Sequence, residues 1–217
     1  MAIKAVLFDM DGVVVDTEPV HEESRRLTYL KYGIPYDKVR DIPVIGRNTD
    51  AIFADVNARF PFPVELKTAI KAKRDIFVDL LGKHVDLLPG VAECIEYFRL
   101  RYRIALVTAS ARQNVDAVLA GSGLTGRFHA LVVAEDVKRW KPDPEGFLLA
   151  ASRLDVKPED CVVIEDSPVG VAAAKAAGMR VIGVRTGQGG TAPKEAHLMV
   201  DDLDSGSETV IKFVEEG

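Results

Sequence analysis

Asp9 and Asp11 stand two residues apart at the end of the apolar run Ala5-Val6-Leu7-Phe8, with Gly12 following. In extended backbone, side chains at i and i+2 point to the same side, so both carboxylates crowd one spot where the run stops. Like charges that close are unfavourable unless a cation or a shifted pKa relieves them, which points to metal or acid–base chemistry. Other polar groups stand at the ends of, or just beyond, later short apolar runs: Thr108 after 104–107, Lys141 beyond 130–134, and Glu165 with Asp166 after 161–164. Mg2+ favours oxygen ligands and binds a few carboxylates together with phosphate oxygens. A hydroxyl, an ammonium and a capped helix N-terminus suit the remaining phosphate charge. The set reads as a site for phosphoryl transfer.

Strands must bring these groups together, and the pattern supplies them. From about residue 90, strand-like and helix-like runs alternate. Ser110 reads as the N-cap of a helix reaching about Ala120 and closed by Gly121. Asp143-Pro144 reads as cap plus first helical residue of a helix to about Leu154, and Ser167-Pro168 repeats the signal before an alanine-rich stretch ending at Gly178. The run 181–184 supplies a last central strand. Such alternation predicts an α/β fold, a Rossmann-like parallel sheet with helices on both faces. Residues 18–88 lack it and carry helix-like stretches over 19–32, 49–59 and 65–82. The expected organisation is a core of residues 1–16 and 89–217 with an inserted all-α domain of residues 17–88, hinged at 16–18 and 87–90.

Composition narrows the partners. Of 217 residues, 47% are hydrophobic and 28% charged, as in a globular fold with a sizeable core. A net charge of −5 without a basic block argues against nucleic acid. Cys94 and Cys161 lie in apolar surroundings without paired spacing, so buried reduced thiols are expected and a zinc site is not. No signal peptide is read, because the acidic motif begins within ten residues of Met1, and no apolar run nears membrane-spanning length. A soluble cytoplasmic monomer is expected.

Four motifs in order resemble those of the haloacid dehalogenase superfamily: Asp9-Met10-Asp11-Gly12-Val13, Thr108, Lys141-Pro142 and Glu165-Asp166. The phrases around them, including Lys141-Pro142-Asp143-Pro144 and Glu165-Asp166-Ser167-Pro168-Val169-Gly170, are similar to the β-phosphoglucomutase-like branch, and the helical insert looks like that branch's cap domain. The resemblance implies that Asp9 is the nucleophile and forms an aspartyl-phosphate, and that Asp11 is the general acid and then the base. It implies that Thr108 and the backbone N–H of Ala109 hold the phosphoryl oxygens, and that Lys141 neutralises charge and orients Asp9. Mg2+ would be bound by Asp9, the main-chain carbonyl of Asp11 and Asp166, with Glu165 directly or one step behind. Electrostatics favours the same division, since a metal-bound carboxylate stays ionised while its neighbour can hold a proton. Dehalogenases of the superfamily lack an acid two residues after the nucleophile, phosphonatases carry alanine there and ion pumps threonine, so Asp11 implies phosphate esters.

Each motif alone has an ordinary reading: an acidic turn, a strand-end hydroxyl, a solvated lysine, acids that complement a helix dipole. Together in register they do not. An EF-hand loop fails, because its glycine belongs at position six and Val20 would close it. Gly187-Gln188-Gly189-Gly190-Thr191-Ala192 half matches a dinucleotide fingerprint, but Pro193 breaks the helix that must follow, so a glycine-rich loop is expected. His21 reads equally as a packed helix histidine and as a proton-handling group, since β-phosphoglucomutases carry a histidine at this spacing. Thr17 and Glu18 would line the entrance, Trp140 would pack, and Arg47 is a candidate for a second anion. Mutases of the branch carry a cap arginine that aligns to Thr49 and a cap lysine that aligns near Phe77; neither stands there, although Arg47, Lys73 and Arg74 are close. Of the amide and basic side chains that mutases use after the second motif, Ser110 matches while Ala111 and Arg112 do so only in part. The expected function is therefore a phosphatase acting on a small phosphorylated metabolite, a sugar or polyol phosphate, with a phosphomutase second and a non-catalytic phosphometabolite-binding module a remote third.

Overall fold

The structure is a computed structural model describing residues 2–44, 47–81, 85–185 and 193–217. In chain order its elements are β1 (Ala5–Phe8), α1 (Glu18–Lys31), α2 (Thr49–Arg59), α3 (Leu66–Leu81), α4 (Val91–Arg99), β2 (Arg103–Val107), α5 (Arg112–Gly121), β3 (Ala130–Val132), α6 (Glu145–Arg153), β4 (Cys161–Glu165), α7 (Pro168–Ala176), β5 (Arg180–Val184), β6 (Leu198–Val200) and α8 (Ser207–Glu215). The glycine-rich run 187–192 lies outside the described residues. Among the described residues the strands form one six-stranded sheet, ordered β3-β2-β1-β4-β5-β6 and parallel throughout.

β1 is apolar at all four positions because both of its faces are covered, as parallel sheets require. Val6 and Phe8 pack on one side with Ile95 and Phe98 of α4 and Val210 and Val214 of α8. Ala5 and Leu7 pack on the other with Phe147 of α6 and Val171 of α7. Each fully buried Val, Leu or Phe contributes about 1.5–3 kcal/mol. Helices α1, α2 and α3 share a separate apolar cluster built on Tyr29, Phe53, Val56, Phe62 and Ile70. The two segments joining them to the sheet run side by side: Val15 bridges Leu87, and the Leu88 N–H donates to the Val14 carbonyl at 3.0 Å.

Two expected caps are corrected. α5 starts at Arg112 with Ala111 at its N-cap, and Ser110 does not cap it, because its hydroxyl is engaged by Asp11. α6 starts at Glu145, after Pro144, with Asp143 accepting from the Glu145 N–H at 3.0 Å. Ser167 caps α7 as expected, accepting from the Gly170 N–H at 3.1 Å.

Candidate active site

From β1 the chain builds outward to β2 and β3, then returns to place β4 on the other flank of β1. A crevice opens at such a switch point, beyond the carboxyl ends of the strands. Phe8 is level with Leu106 and Ile164, so the residues that follow these three positions emerge together. The Asp9 N–H still closes on the Ile164 carbonyl at 3.0 Å, which ties the acid to the end of the sheet.

Lys141 binds this end into one unit. Its Nζ donates to Asp9 Oδ1 at 2.5 Å and to Glu165 Oε2 at 2.6 Å, with its ammonium 5.1 Å from the centre of the Phe147 ring. The other Glu165 oxygen accepts from the Ser167 N–H at 3.1 Å and the Ser167 hydroxyl at 2.7 Å. Two glycines make room. A Cβ at Gly170 would stand 2.0 Å from Glu165 Cδ, and one at Gly12, where φ is +85°, would stand 2.1 Å from Asp166 Oδ2.

Asp9, Glu165 and Asp166 present carboxylate oxygens within 4.8 Å of one another. Against them stands the single charge of Lys141, so the cluster is formally short of two positive charges. Burial first, then the charge of Glu165, raises the Asp9 carboxyl well above its ordinary range despite Lys141, and the same causes push Asp166 up to about 8. Burial works against the Lys141 ammonium, but Asp9 and Glu165 hold it charged above its usual value. An all-oxygen donor set with a deficit of two charges fits Mg2+.

The Asp11 side chain takes no part in that cluster. Its Oδ2 accepts from Thr108 Oγ1 at 3.2 Å and Ser110 Oγ at 3.1 Å, and its Oδ1 accepts from the Thr17 hydroxyl. Burial pushes the Asp11 carboxyl up, but His21, Thr17 and Ser110 outweigh it and hold it at about 2. Among the protein's own side chains, with no cation counted, Asp9 is the carboxyl pushed towards protonation and Asp11 the ionised one, whereas the expected division is that of a metal-bound Asp9. The cause is company, acids around Asp9 and donors around Asp11.

His21 stands on α1 with Nε2 3.6 Å from Asp11 Oδ1, its ring stacked 4.3 Å from that of Phe77. Its Nδ1 lies 2.6 Å from Lys73 Nζ. Burial and the Lys73 charge lower the imidazole below its ordinary value, while Asp11 resists.

A cavity of about 140 Å3 lies over these groups, and its walls include Glu18, His21, Arg47, Thr108, Ala109 and Ser110. Thr17 is buried beneath Asp11 and absent from those walls. Arg47 reaches the wall, but its guanidinium is paired with Asp55 at 2.7 Å and bonded to the Pro43 carbonyl at 2.9 Å. Trp140 is half-buried and stands apart from the cavity. Lys73 lies one helical turn before Phe77 and reaches His21 from behind, without lining the cavity. Arg74 instead binds Asp50 at 3.0 Å. Sequence reasoning missed Arg25, which no local signal marks, and read Ser167 only as a helix cap, though both line the cavity.

The chain is similar to known proteins. A family model described as haloacid dehalogenase-like hydrolase matches residues 3–178. The chain is 36% identical over 180 residues to fructose-1-phosphate phosphatase YqaB of Escherichia coli, covering 83% of this chain and 95% of that one. It is 35% identical over 188 residues to a phosphorylated carbohydrates phosphatase of Thermotoga maritima, covering 84% and 85%. The crystal structure of a β-phosphoglucomutase from Clostridium difficile superposes with a TM-score of 0.84 at 28% identity, covering 99% and 97%.

Proposed function

This chain belongs to the haloacid dehalogenase-like hydrolases, and from that membership we propose that it is a Mg2+-dependent phosphatase of a small sugar or polyol phosphate, working through a phosphoryl group held on Asp9. The observation that carries the reading is the separation of two neighbouring acids: Lys141 joins Asp9 to the carboxylate cluster, while Asp11 turns away among hydroxyls. Paired acids in unlike surroundings are how one site runs nucleophilic and proton-transfer chemistry side by side.

In the first step an Asp9 oxygen forms a bond to phosphorus as the bond to the leaving alkoxide breaks, and Asp11 gives that oxygen its proton. In the second step water attacks phosphorus, Asp11 takes the water's proton, and the Asp9–phosphorus bond breaks to release phosphate. Thr108 and the Ala109 N–H receive the phosphoryl oxygens, and Lys141 fixes Asp9 and offsets charge. Asp9, Asp166 and the Asp11 main-chain carbonyl would hold Mg2+, with Glu165 beside or behind them, and its charge neutralises the phosphoryl oxygens. As found, Asp11 suits the base half of the cycle. For the acid half, the charge of an arriving phosphate raises its pKa, and the Lys73–His21 pair stands behind it as the nearest proton store.

Residues 17–88 serve as a cap over the sheet end, and the core comprises 1–16 and 89–217. The separate apolar cluster of α1–α3 and the paired connections at Val15 and Leu87 support that division. The two buried free thiols suit a reducing cytoplasm. Among the described residues no helix is long and apolar enough to cross a membrane.

A phosphomutase is the second reading, favoured by the buried Lys73 behind His21 and by the mutase neighbour. One experiment covers these readings. Purified protein should release phosphate from small esters with Mg2+ and stop on chelation, and Asp9→Asn should cut the rate by roughly 10^4-fold or more. Turnover that survives chelation, or an active Asp9→Asn protein, would sink the mechanism. With β-glucose 1-phosphate and its bisphosphate activator, glucose 6-phosphate formed faster than free phosphate would establish the mutase instead. Silence on a broad ester panel would leave a binding module.

A further inference from the structure

A second cavity, of about 180 Å3, adjoins the one over Asp9 and is lined by α1, the segment 36–44 and Ile52 of α2. The two share a wall, since Glu18, Arg25, Val44 and Ile52 line both. At the junction, Arg25 donates to Glu18 Oε1 at 2.6 Å; the Arg25 side chain is 10% exposed and that of Glu18 is 42% exposed. At the exposed rim of the second cavity, the Tyr36 hydroxyl donates to Glu22 Oε1 at 2.9 Å, and Arg40 completes the polar wall. Tyr29, Val39 and Ile42 give the second cavity an apolar side.

Size and chemistry both bear on what enters. Small-molecule sites usually enclose at least about 300 Å3, and the cavity over Asp9, at about 140 Å3, must also hold the phosphoryl group. Joined, the two cavities reach that size. The second cavity has two carboxylates and two guanidinium groups, so it is formally neutral and offers no net field to an anion. A purely apolar group would strip water from those charges without replacing its hydrogen bonds. Hydroxyls both donate and accept, so they satisfy the carboxylates and the guanidinium forks alike, and the carbon face of a ring suits the tyrosine and aliphatic side.

We infer that the two cavities form one substrate site, in which the Glu18–Arg25 pair holds hydroxyls of the leaving group and the second cavity takes a further neutral polyhydroxylated unit. The preferred substrates are then phosphate monoesters of two-ring sugar or cyclitol alcohols. This inference rests on the proposed phosphatase reading and names its substrate class.

Released phosphate, measured with Mg2+ for trehalose 6-phosphate, glucose 6-phosphate, glycerol 3-phosphate and fructose 1,6-bisphosphate, tests it. The kcat/KM for trehalose 6-phosphate should exceed that for glucose 6-phosphate by about tenfold or more. Glu22→Arg, a change at an exposed position of α1, and Tyr36→Phe should each cut that ratio several-fold. Equal or better use of glucose 6-phosphate, a preference for the bisphosphate, or a ratio unchanged in both variants would overturn the inference. Failure to hydrolyse any of the four esters would remove the phosphatase reading itself, whereas turnover of the short esters without the preference removes the second subsite alone.

Discussion

Lys73 has almost no exposed surface, yet its ammonium is held 2.6 Å from a histidine nitrogen. Burial, followed by the charge of Arg25, lowers it from 10.5 to about 7, while Asp11 and Glu18 resist. The sign of the consequence is fixed. Between those two values the unfolded chain keeps a proton that the folded protein has lost, so this residue makes stability rise with pH. The full penalty of a buried ammonium is present below about 7 and has faded above about 10.5. Asp166 works the other way at lower pH, so total stability does not isolate the effect, but a comparison with Lys73→Met does. Urea unfolding from pH 6 to pH 10 should show the variant's advantage shrinking as pH rises, by on the order of a few kcal/mol. A constant difference across that range would mean that Lys73 titrates normally.

At the scale of the element, α7 couples helix start to chemistry. Ser167 caps the helix and also holds Glu165, whose other oxygen is on Lys141, so the carboxylate cannot swing aside. Gly170→Ala places a methyl 2.0 Å from Glu165 Cδ. The expected outcome is a loss of about 1–3 kcal/mol in thermal unfolding, with kcat falling more than KM as the Lys141 bridge is disturbed. Full activity at unchanged stability would show that the helix simply shifts. Much of this element was legible beforehand: Ser167-Pro168 announces the cap, and the apolar residues of β4 announce a strand buried on both faces. Ser110 was misread because a hydroxyl before a helix can cap it or turn elsewhere, and the competitor, Asp11, lies 99 residues away. Lys73 was underread for the same reason, since the residue that buries it against the site comes from α1, 52 residues earlier. β6 is three residues at a sheet edge, too short for its periodicity to separate it from a loop.

For the whole molecule, the nucleophile is nearly sealed: Asp9 is 7% exposed and Glu165 1%, beneath a cavity walled by both the sheet end and the inserted helices. Admission of a phosphate ester is expected to move α1–α3 away from the sheet, with the paired connections at Val15 and Leu87 as the proposed hinge. Among the described residues, the polar ties across this boundary outside the Asp11 network include an Arg74–Glu135 pair at 3.8 Å and a Gln113–Asp75 hydrogen bond at 3.1 Å. Exposed pairs are worth about 0–1 kcal/mol each, and they add to the apolar packing of Phe77, Val78 and Leu81 on the core. Glu135→Arg turns the attraction to Arg74 into repulsion, and it also removes the carboxylate that accepts from the Arg112 N–H at 2.9 Å. It should raise KM by about fivefold, the equivalent of ~1 kcal/mol, with little change in kcat and thermal stability within ~1 kcal/mol. X-ray scattering should report a larger radius of gyration for the free variant and the same radius for both proteins once vanadate is bound. An unchanged KM together with an unchanged radius would mean that the apolar contact made by Phe77 with the core, and not the rim charges, sets the closed state.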